Sequence, residues 1–252
     1  MRRSWLILAA LVLFTSIGIA RQAPATGPYK VIRKAKVGGE GTTDYLFADS
    51  AARRLYITRN APRTNPDGIV SRISVFNLDT LELITEIPDT GGNGGIACHN
   101  TGTGFATSHP DISMFDTKTL KLIKKIPLAK DAAGVQASGD GLYCDSFNNR
   151  AYIFSHPTKD ATVIDAKDGT VLGVVALEGV PEQGVADGKG TLYVVMQRES
   201  NVAVVDAKTM KVTAHYDFKD KGGSCNGLAL DAKNSILFVA CGNSSLTPVQ
   251  GQ

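Results

Sequence analysis

The sequence predicts an all-β fold, a β-propeller built of four-stranded antiparallel blades. Three observations carry that expectation. A short strand centred on an aromatic residue recurs five times: Arg54-Leu55-Tyr56-Ile57-Thr58, Thr103-Gly104-Phe105-Ala106-Thr107, Arg150-Ala151-Tyr152-Ile153-Phe154, Thr191-Leu192-Tyr193-Val194-Val195 and Ile236-Leu237-Phe238-Val239-Ala240. The central aromatics step by 49, 47, 41 and 45 residues, a period that suits one four-stranded blade per repeat. After each of the first four comes a further apolar strand that ends in Asn or Asp and a tight turn, at Asn77, Asp116, Asp165 and Asp206.

The chain has 252 residues, of which 43% are hydrophobic and 20% charged. That is the composition of an ordinary folded domain, with no Pro/Ser-rich linker between two halves. Residues 1–20 stand apart. Arg2 and Arg3 precede a nearly continuous apolar run from Trp5 to Ala20, with Gly18 and Ala20 placed for a cut before Arg21. This reads as a secretory signal peptide, short for a spanning helix. It implies a periplasmic or secreted protein without a stable membrane anchor after cleavage. Cleavage removes Arg2 and Arg3 and no acid, taking the formal charge from +3 to +1. A near-neutral chain gives no electrostatic reason to expect nucleic acid as a partner.

Residues 21–28 have linker composition, and the propeller is expected over residues 29–243. Residues 29–37 alternate as an outer strand, with Lys30, Lys34 and Lys36 on one side. Blade one uses residues 44–49, 54–59, 72–77 and 83–88, and blade two uses 95–99, 104–108, 112–116 and 122–127. Blade three uses 141–145, 151–155, 161–165 and 171–177, and blade four 183–187, 191–196, 202–206 and 212–217. A fifth begins with 226–231 and 236–241, and residues 244–252 read as an irregular tail. One Asx per blade at the third-to-fourth turn is a turn device that feeds local backbone donors, not an array of acidic sites.

Val75-Phe76-Asn77-Leu78-Asp79-Thr80-Leu81, Val163-Ile164-Asp165-Ala166-Lys167-Asp168-Gly169 and Val204-Val205-Asp206-Ala207-Lys208-Thr209-Met210 each follow an aromatic strand. They resemble the repeats of YVTN-type (YncE-like) bacterial β-propeller proteins. So do Gly38-Gly39-Glu40-Gly41, Pro181-Glu182, Val185 to Gly190 and the final pair of cysteines. The resemblance implies a ring of about seven blades in which an N-terminal strand completes the last one, the place that residues 29–37 would take. Four complete blades and a partial fifth leave two arrangements open, a C-terminally truncated seven-bladed ring and a five-bladed ring.

Cys225 precedes one strand of the last hairpin and Cys241 ends the other, within reach of a disulfide if a bulge shifts the register by one. Cys98 and Cys144 fall on the first strands of neighbouring blades and read as buried free thiols.

The connections into each first strand, and those from second to third strands, share one face. Glu40, Asn93, Gln136, Glu182 and Asn226 are therefore the candidates around one mouth of the central channel, with His109, His156 and Arg198 farther out. Loops on a rigid scaffold are where function goes. The leading expectation is non-catalytic recognition of a protein, peptide or cell-envelope ligand on this face. The alternative is a propeller enzyme, quinoprotein-like or lactonase-type, with its site at the mouth. Convergent acids or histidines with displaced titration would mark the enzyme, and scattered polar residues the scaffold.

No catalytic residue, cofactor or metal site is expected. The four histidines are dispersed, and HExxH, CxxC and CxxCH patterns do not occur. Glu40 and Glu182 alone are too few to hold a cation. Gly38-Gly39, Gly91-Gly92 and Gly94-Gly95 lead into strands rather than helices, so they are not phosphate loops.

Overall fold

A computed structural model describes residues 30–62, 64–107, 110–218 and 223–242, together with the backbone of 247–250. The expected signal peptide, the linker, Tyr29 and His109 lie outside the described residues. Residues Val37–Gln252 form one compact unit, and every regular element among the described residues is a strand.

The strands form five antiparallel sheets in strict chain order. The first sheet is β1 (Leu46–Asp49), β2 (Arg54–Arg59), β3 (Arg72–Asn77) and β4 (Leu83–Pro88). The second is β5 (Gly95–Cys98), β6 (Thr103–Thr107), β7 (Asp111–Asp116) and β8 (Lys121–Pro127). The third comprises β9 (Gly139–Asp145), β10 (Arg150–Ser155), β11 (Asp160–Asp165) and β12 (Val171–Ala176). The fourth comprises β13 (Pro181–Ala186), β14 (Thr191–Met196), β15 (Asn201–Asp206) and β16 (Lys211–Asp217). The fifth has three strands, β17 (Cys225–Asp231), β18 (Ile236–Cys241) and β19 (Thr247–Gln250). First strands of successive sheets contact one another, β1 to β5, β5 to β9, β9 to β13 and β13 to β17, so they line the inside of the arc.

The core is a set of seams between neighbouring sheets. Tyr56 of the first sheet packs with Ala97, Ala106 and Phe115 of the second, its ring centroid 5.9 Å from that of Phe115. Phe105, Ile112 and Met114 meet Ala151, Ile153 and Ile164 of the third sheet. Tyr152, Phe154 and Val163 meet Leu192, Val194 and Val205 of the fourth. Val195 and Val202 meet Leu228, Leu237 and Val239 of the fifth, with Tyr193 partly buried against them. Each recurrent aromatic thus belongs to the seam with the next sheet. Phe238, in the last sheet, remains 37% exposed.

The turns follow the Asx reading. Asn77 Oδ1 accepts from the amides of Asp79 and Thr80, and Asp116 Oδ1 from those of Lys118 and Thr119. Asp165 and Asp206 do the same for Lys167 and for Lys208 and Thr209. Each turn closes on a left-handed residue, Leu81, Leu120, Gly169 or Met210. Only the third blade places there the residue that adopts this conformation without cost.

Three expectations are corrected. Residues 30–37 form no strand: the adjacent Val31 and Ile32 are 74% and 87% exposed, so the segment has no buried face to hold it extended. The stretch 244–252 is not wholly irregular, because Thr247–Gln250 pairs with β18. That pairing is through the main chain and needs no Val-x-Ile-Asp signature, and an edge strand tolerates Pro248. Lastly, Cys98 and Cys144 are not free thiols but a disulfide between β5 and β9, with Cα atoms 5.6 Å apart. Contact between the first strands of adjacent blades, which the pattern of a single repeat does not report, brings the two residues together. Cys225 and Cys241 form the second disulfide, across a register shift between Cys225 and Gly227.

The two disulfides span 46 and 16 residues. In the chain-entropy description such loops stabilise by about 4 and about 3 kcal/mol. Reduction with a phosphine should therefore lower the urea midpoint sharply, and a non-reducing digest should release a linked peptide pair containing Cys98 and Cys144. Recovery of both as alkylatable thiols from the oxidised, denatured protein would refute the inter-blade bond.

Candidate functional site at the channel mouth

The first strands begin, and the second strands end, on the same face. Tyr45 precedes β1, Asn93 precedes β5, Asp140 is the second residue of β9 and Glu182 the second of β13. His156 follows β10 and Gln197 follows β14. These side chains, contributed by four sheets, converge at the axis.

His156 is the centre of the cluster. Its Nε2 lies 2.9 Å from Asp140 Oδ2 and 3.1 Å from Glu182 Oε2. Gln197 Nε2 donates to the same Glu182 oxygen at 3.0 Å, and the Tyr45 hydroxyl donates to Glu182 Oε1 at 2.8 Å. Asn93 Nδ2 donates to Asp140 Oδ1 at 2.5 Å and is itself tied through Oδ1 to Asn60 Nδ2 at 3.3 Å. The Thr107 hydroxyl donates to the Asp140 carbonyl at 2.7 Å and accepts from the Gly94 amide at 2.8 Å. Close approach of β9 and β13 is possible because residue 141 is glycine. A Cβ there would sit 2.1 Å from the Glu182 carbonyl oxygen.

Side-chain exposure is 33% for His156, 13% for Asp140 and 10% for Glu182, so the charges interact with little water between them. Hydrogen bonds to Asp140 and Glu182 push His156 up to about 10, against the opposing effect of burial. Burial would raise Asp140, but the hydrogen bonds from His156 and Asn93 outweigh it and hold that carboxyl below its ordinary value. Asp44, at the same mouth, is raised first by burial and then by its neighbours Asp140 and Glu182. Burial, and after it Glu182, raises the Tyr45 phenol, which stays a neutral donor. The mouth therefore carries three carboxylates around one imidazolium.

Beside it on the same face runs a polar cleft of about 600 Å³, bounded by Asn60, Ser71, Asp89, Asn93, Lys125 and Gly139 among others. Lys125 Nζ is held by the Ser113 hydroxyl at 2.7 Å and by the Asp89 carbonyl.

Of the residues singled out from sequence, the structure brings together Asn93, His156 and Glu182. His156 joins the acids at the start of the first strands β9 and β13 rather than lying farther out. Glu40 is exposed in a bend outside the cluster, where Tyr45 and Asp44 represent the first blade instead. Gln136 turns to the carbonyls of Leu128 and Ala137, and Asp140 takes the place expected of it. Asn226 is exposed, its amide aimed at the carbonyls of Ser224 and Cys225, and Arg198 is exposed in the β14–β15 turn. The structure also brings together three side chains of metal-ligating type that the sequence did not connect. The ligand atoms of Asp140, His156 and Glu182 all lie within 4.8 Å of one another. A signal for the missed acid was present: Asp44, Asn93, Asp140 and Asn226 each stand 12 residues before their blade's central aromatic, and Glu182 stands 11 before.

Sheet order and inter-sheet seams define a β-propeller, and comparison with known proteins agrees. No protein-family model matches the chain. It is 27% identical over 198 residues to YncE of Salmonella typhi, described as an uncharacterized protein, and equally to that of Salmonella typhimurium. The match covers 77% of this chain and 53% of the relative, so the chain spans about half the length of the curated relatives it matches. Among solved structures, the β-propeller domain of Cps50 (Swd1) from Myceliophteria thermophila superposes with a TM-score of 0.63 at 10% identity, covering 84% of this chain and 65% of that one. Hydrazine synthase of Kuenenia stuttgartiensis gives 0.59 at 12% identity, covering 74% and 52%. The YncE-like character read from the repeats is thus supported, and the structural likenesses speak to the fold alone.

The ionic trio makes stability pH-dependent in a definite direction. His156 is raised from 6.5 to about 10 on folding, so its contribution is complete below about pH 6.5 and is lost as pH rises through about 10. Asp140 acts in the opposite sense, its contribution being present above its ordinary value and lost in acid. Thermal melts between about pH 6.5 and pH 10 should fall more steeply for the wild type than for His156→Gln. Parallel slopes for the two proteins would show that the trio does not govern the alkaline limb.

Proposed function

We propose that this protein is an exported recognition scaffold that holds a positively charged protein or peptide segment on its channel-mouth face. The observation that carries the proposal is the charge at the axis. Asp44, Asp140 and Glu182 meet a single imidazolium, which leaves the mouth net negative beside a cleft large enough for side chains of a ligand. Export is supported by the pattern of residues 1–20 and by two disulfides, which suit an oxidising compartment.

A second reading, a propeller enzyme, is favoured by the convergence of Asp140, His156 and Glu182 with displaced titration. The direction of the displacement weighs against proton-transfer chemistry. A histidine raised to about 10 is cationic near neutrality and has no lone pair with which to act as a base, whereas a general base works best with a pKa near the operating pH. The scaffold is therefore the stronger reading.

Fluorescence anisotropy with a labelled lysine-rich decapeptide and a glutamate-rich one of equal length tests it. The basic peptide should bind at least about tenfold more tightly at low ionic strength and weaken with added salt. Asp44→Asn, at the mouth but outside the ionic trio, should reduce affinity about threefold. Equal binding of both peptides, or of neither, would sink the proposal.

A further inference from the structure

We propose that Asp140, His156 and Glu182 form a binding site for a divalent first-row transition-metal ion of the zinc type, held by His156 Nε2 and one oxygen of each carboxylate. The inference does not rest on the recognition reading, because the ion is held by the chain's own residues whether or not a ligand lands on the face.

The spacing of the donor atoms is the first argument. Bonds of about 2.0–2.2 Å from such an ion to imidazole nitrogen and carboxylate oxygen place neighbouring ligand atoms about 2.9–3.4 Å apart, for angles between right and tetrahedral. The Nε2 to Oδ2 and Nε2 to Oε2 separations are 2.9 and 3.1 Å. The three ligand atoms lie within 4.8 Å of one another, so an ion about 2.0–2.2 Å from each needs at most a small inward turn of the two carboxylates, and the imidazolium proton that it displaces passes to solvent. The two charges of the ion then match the two carboxylates, and the imidazole serves as a neutral ligand.

The support behind the donors is the second, independent argument. Metal-ligating carboxylates are usually oriented by hydrogen bonds from outside the coordination sphere. Here the remaining oxygen of each acid is held by an uncharged donor from another blade. Asn93 Nδ2 holds Asp140 Oδ1, and the Tyr45 hydroxyl holds Glu182 Oε1. Both acids thus keep their other oxygen turned toward His156 before any ion arrives. Gln197 approaches Glu182 Oε2 as well, an oxygen with a lone pair to spare for a metal.

The donor set selects the class of ion. One imidazole with two carboxylates suits zinc or manganese better than calcium or magnesium, which prefer oxygen alone, and it lacks the thiolates that copper(I) favours. Both cysteine pairs are committed to disulfides.

The test uses the untagged, metal-stripped, oxidised full chain. Isothermal titration with zinc chloride should show one ion per chain, and cobalt(II) should develop visible absorption bands on occupying the same site. His156→Gln and Asp140→Asn should each weaken zinc binding at least about tenfold and abolish the cobalt bands. Tyr45→Phe keeps all three ligands but removes the support on Glu182, and should weaken binding about tenfold. It guards against a trio variant that fails to fold. His215→Gln, on the outer strand β16, should leave affinity unchanged. Absence of stoichiometric zinc in the wild type, or equal zinc affinity in wild type and a folded Asp140→Asn protein, would overturn the proposal.

Discussion

No blade of this protein can bury its own apolar face. A four-stranded sheet has two faces, and in each blade the recurrent aromatic lies on the face that only the next blade covers. Tyr56, Phe105 and Tyr152 are almost fully buried beneath a four-stranded neighbour, Tyr193 is partly buried beneath the three-stranded fifth sheet, and Phe238 in that sheet is 37% exposed. Burial of such a ring contributes about 1.5–3 kcal/mol, so each seam depends on both of its neighbours. This nearest-neighbour dependence makes the arc a cooperative array, and it fixes the orientation of every first strand toward the axis.

Convergence at the axis follows from that packing and brings its own difficulty. Strands that approach closely at one end crowd their backbones, and polar side chains there are forced together away from water. Gly141 relieves the first problem by leaving room for the Glu182 carbonyl. The second is met by pairing, since every acid in the trio has a donor on each oxygen. A buried charge lacking such partners would cost several kcal/mol. On the opposite face the Cys98–Cys144 bond ties the same first strands, β5 and β9, that Asn93 and Asp140 tie at the mouth.

Sequence made the fold legible because repetition reports itself: the aromatic period, the Asx turns and the strand layout agree with the structure nearly strand for strand. What it could not report was contact between repeats. Cys98 and Cys144 lie on the first strands of neighbouring blades, 7 and 8 residues before their central aromatics, and nothing in the pattern of one repeat shows which residue of the next it touches. The candidate site was half legible for a related reason. Asn93 and Glu182 are legible as residues entering a first strand, but Glu40 and Gln136 stand four residues short of Asp44 and Asp140. Loop length before the first strand varies between blades, so counting backward from the aromatic locates the mouth and counting forward through the loop does not. His156 and His109 both sit in Ser-His-Pro segments, so local sequence does not separate the two, whereas the partners of His156 come from two different blades.

The trio also connects the two readings of the mouth. With a proton between His156 and its acids, the cluster is a closed electrostatic unit with excess negative charge, fit to attract a cation. With a metal ion in the proton's place, the excess is neutralised and the ion can offer a further coordination position to a donor atom approaching along the channel. The attraction of the face for a basic segment and its occupancy by a metal are therefore opposed, because both draw on the carboxylates of Asp140 and Glu182. Whichever cation is bound first weakens the hold on the other, and this reciprocity is required by linkage whatever the ligand proves to be.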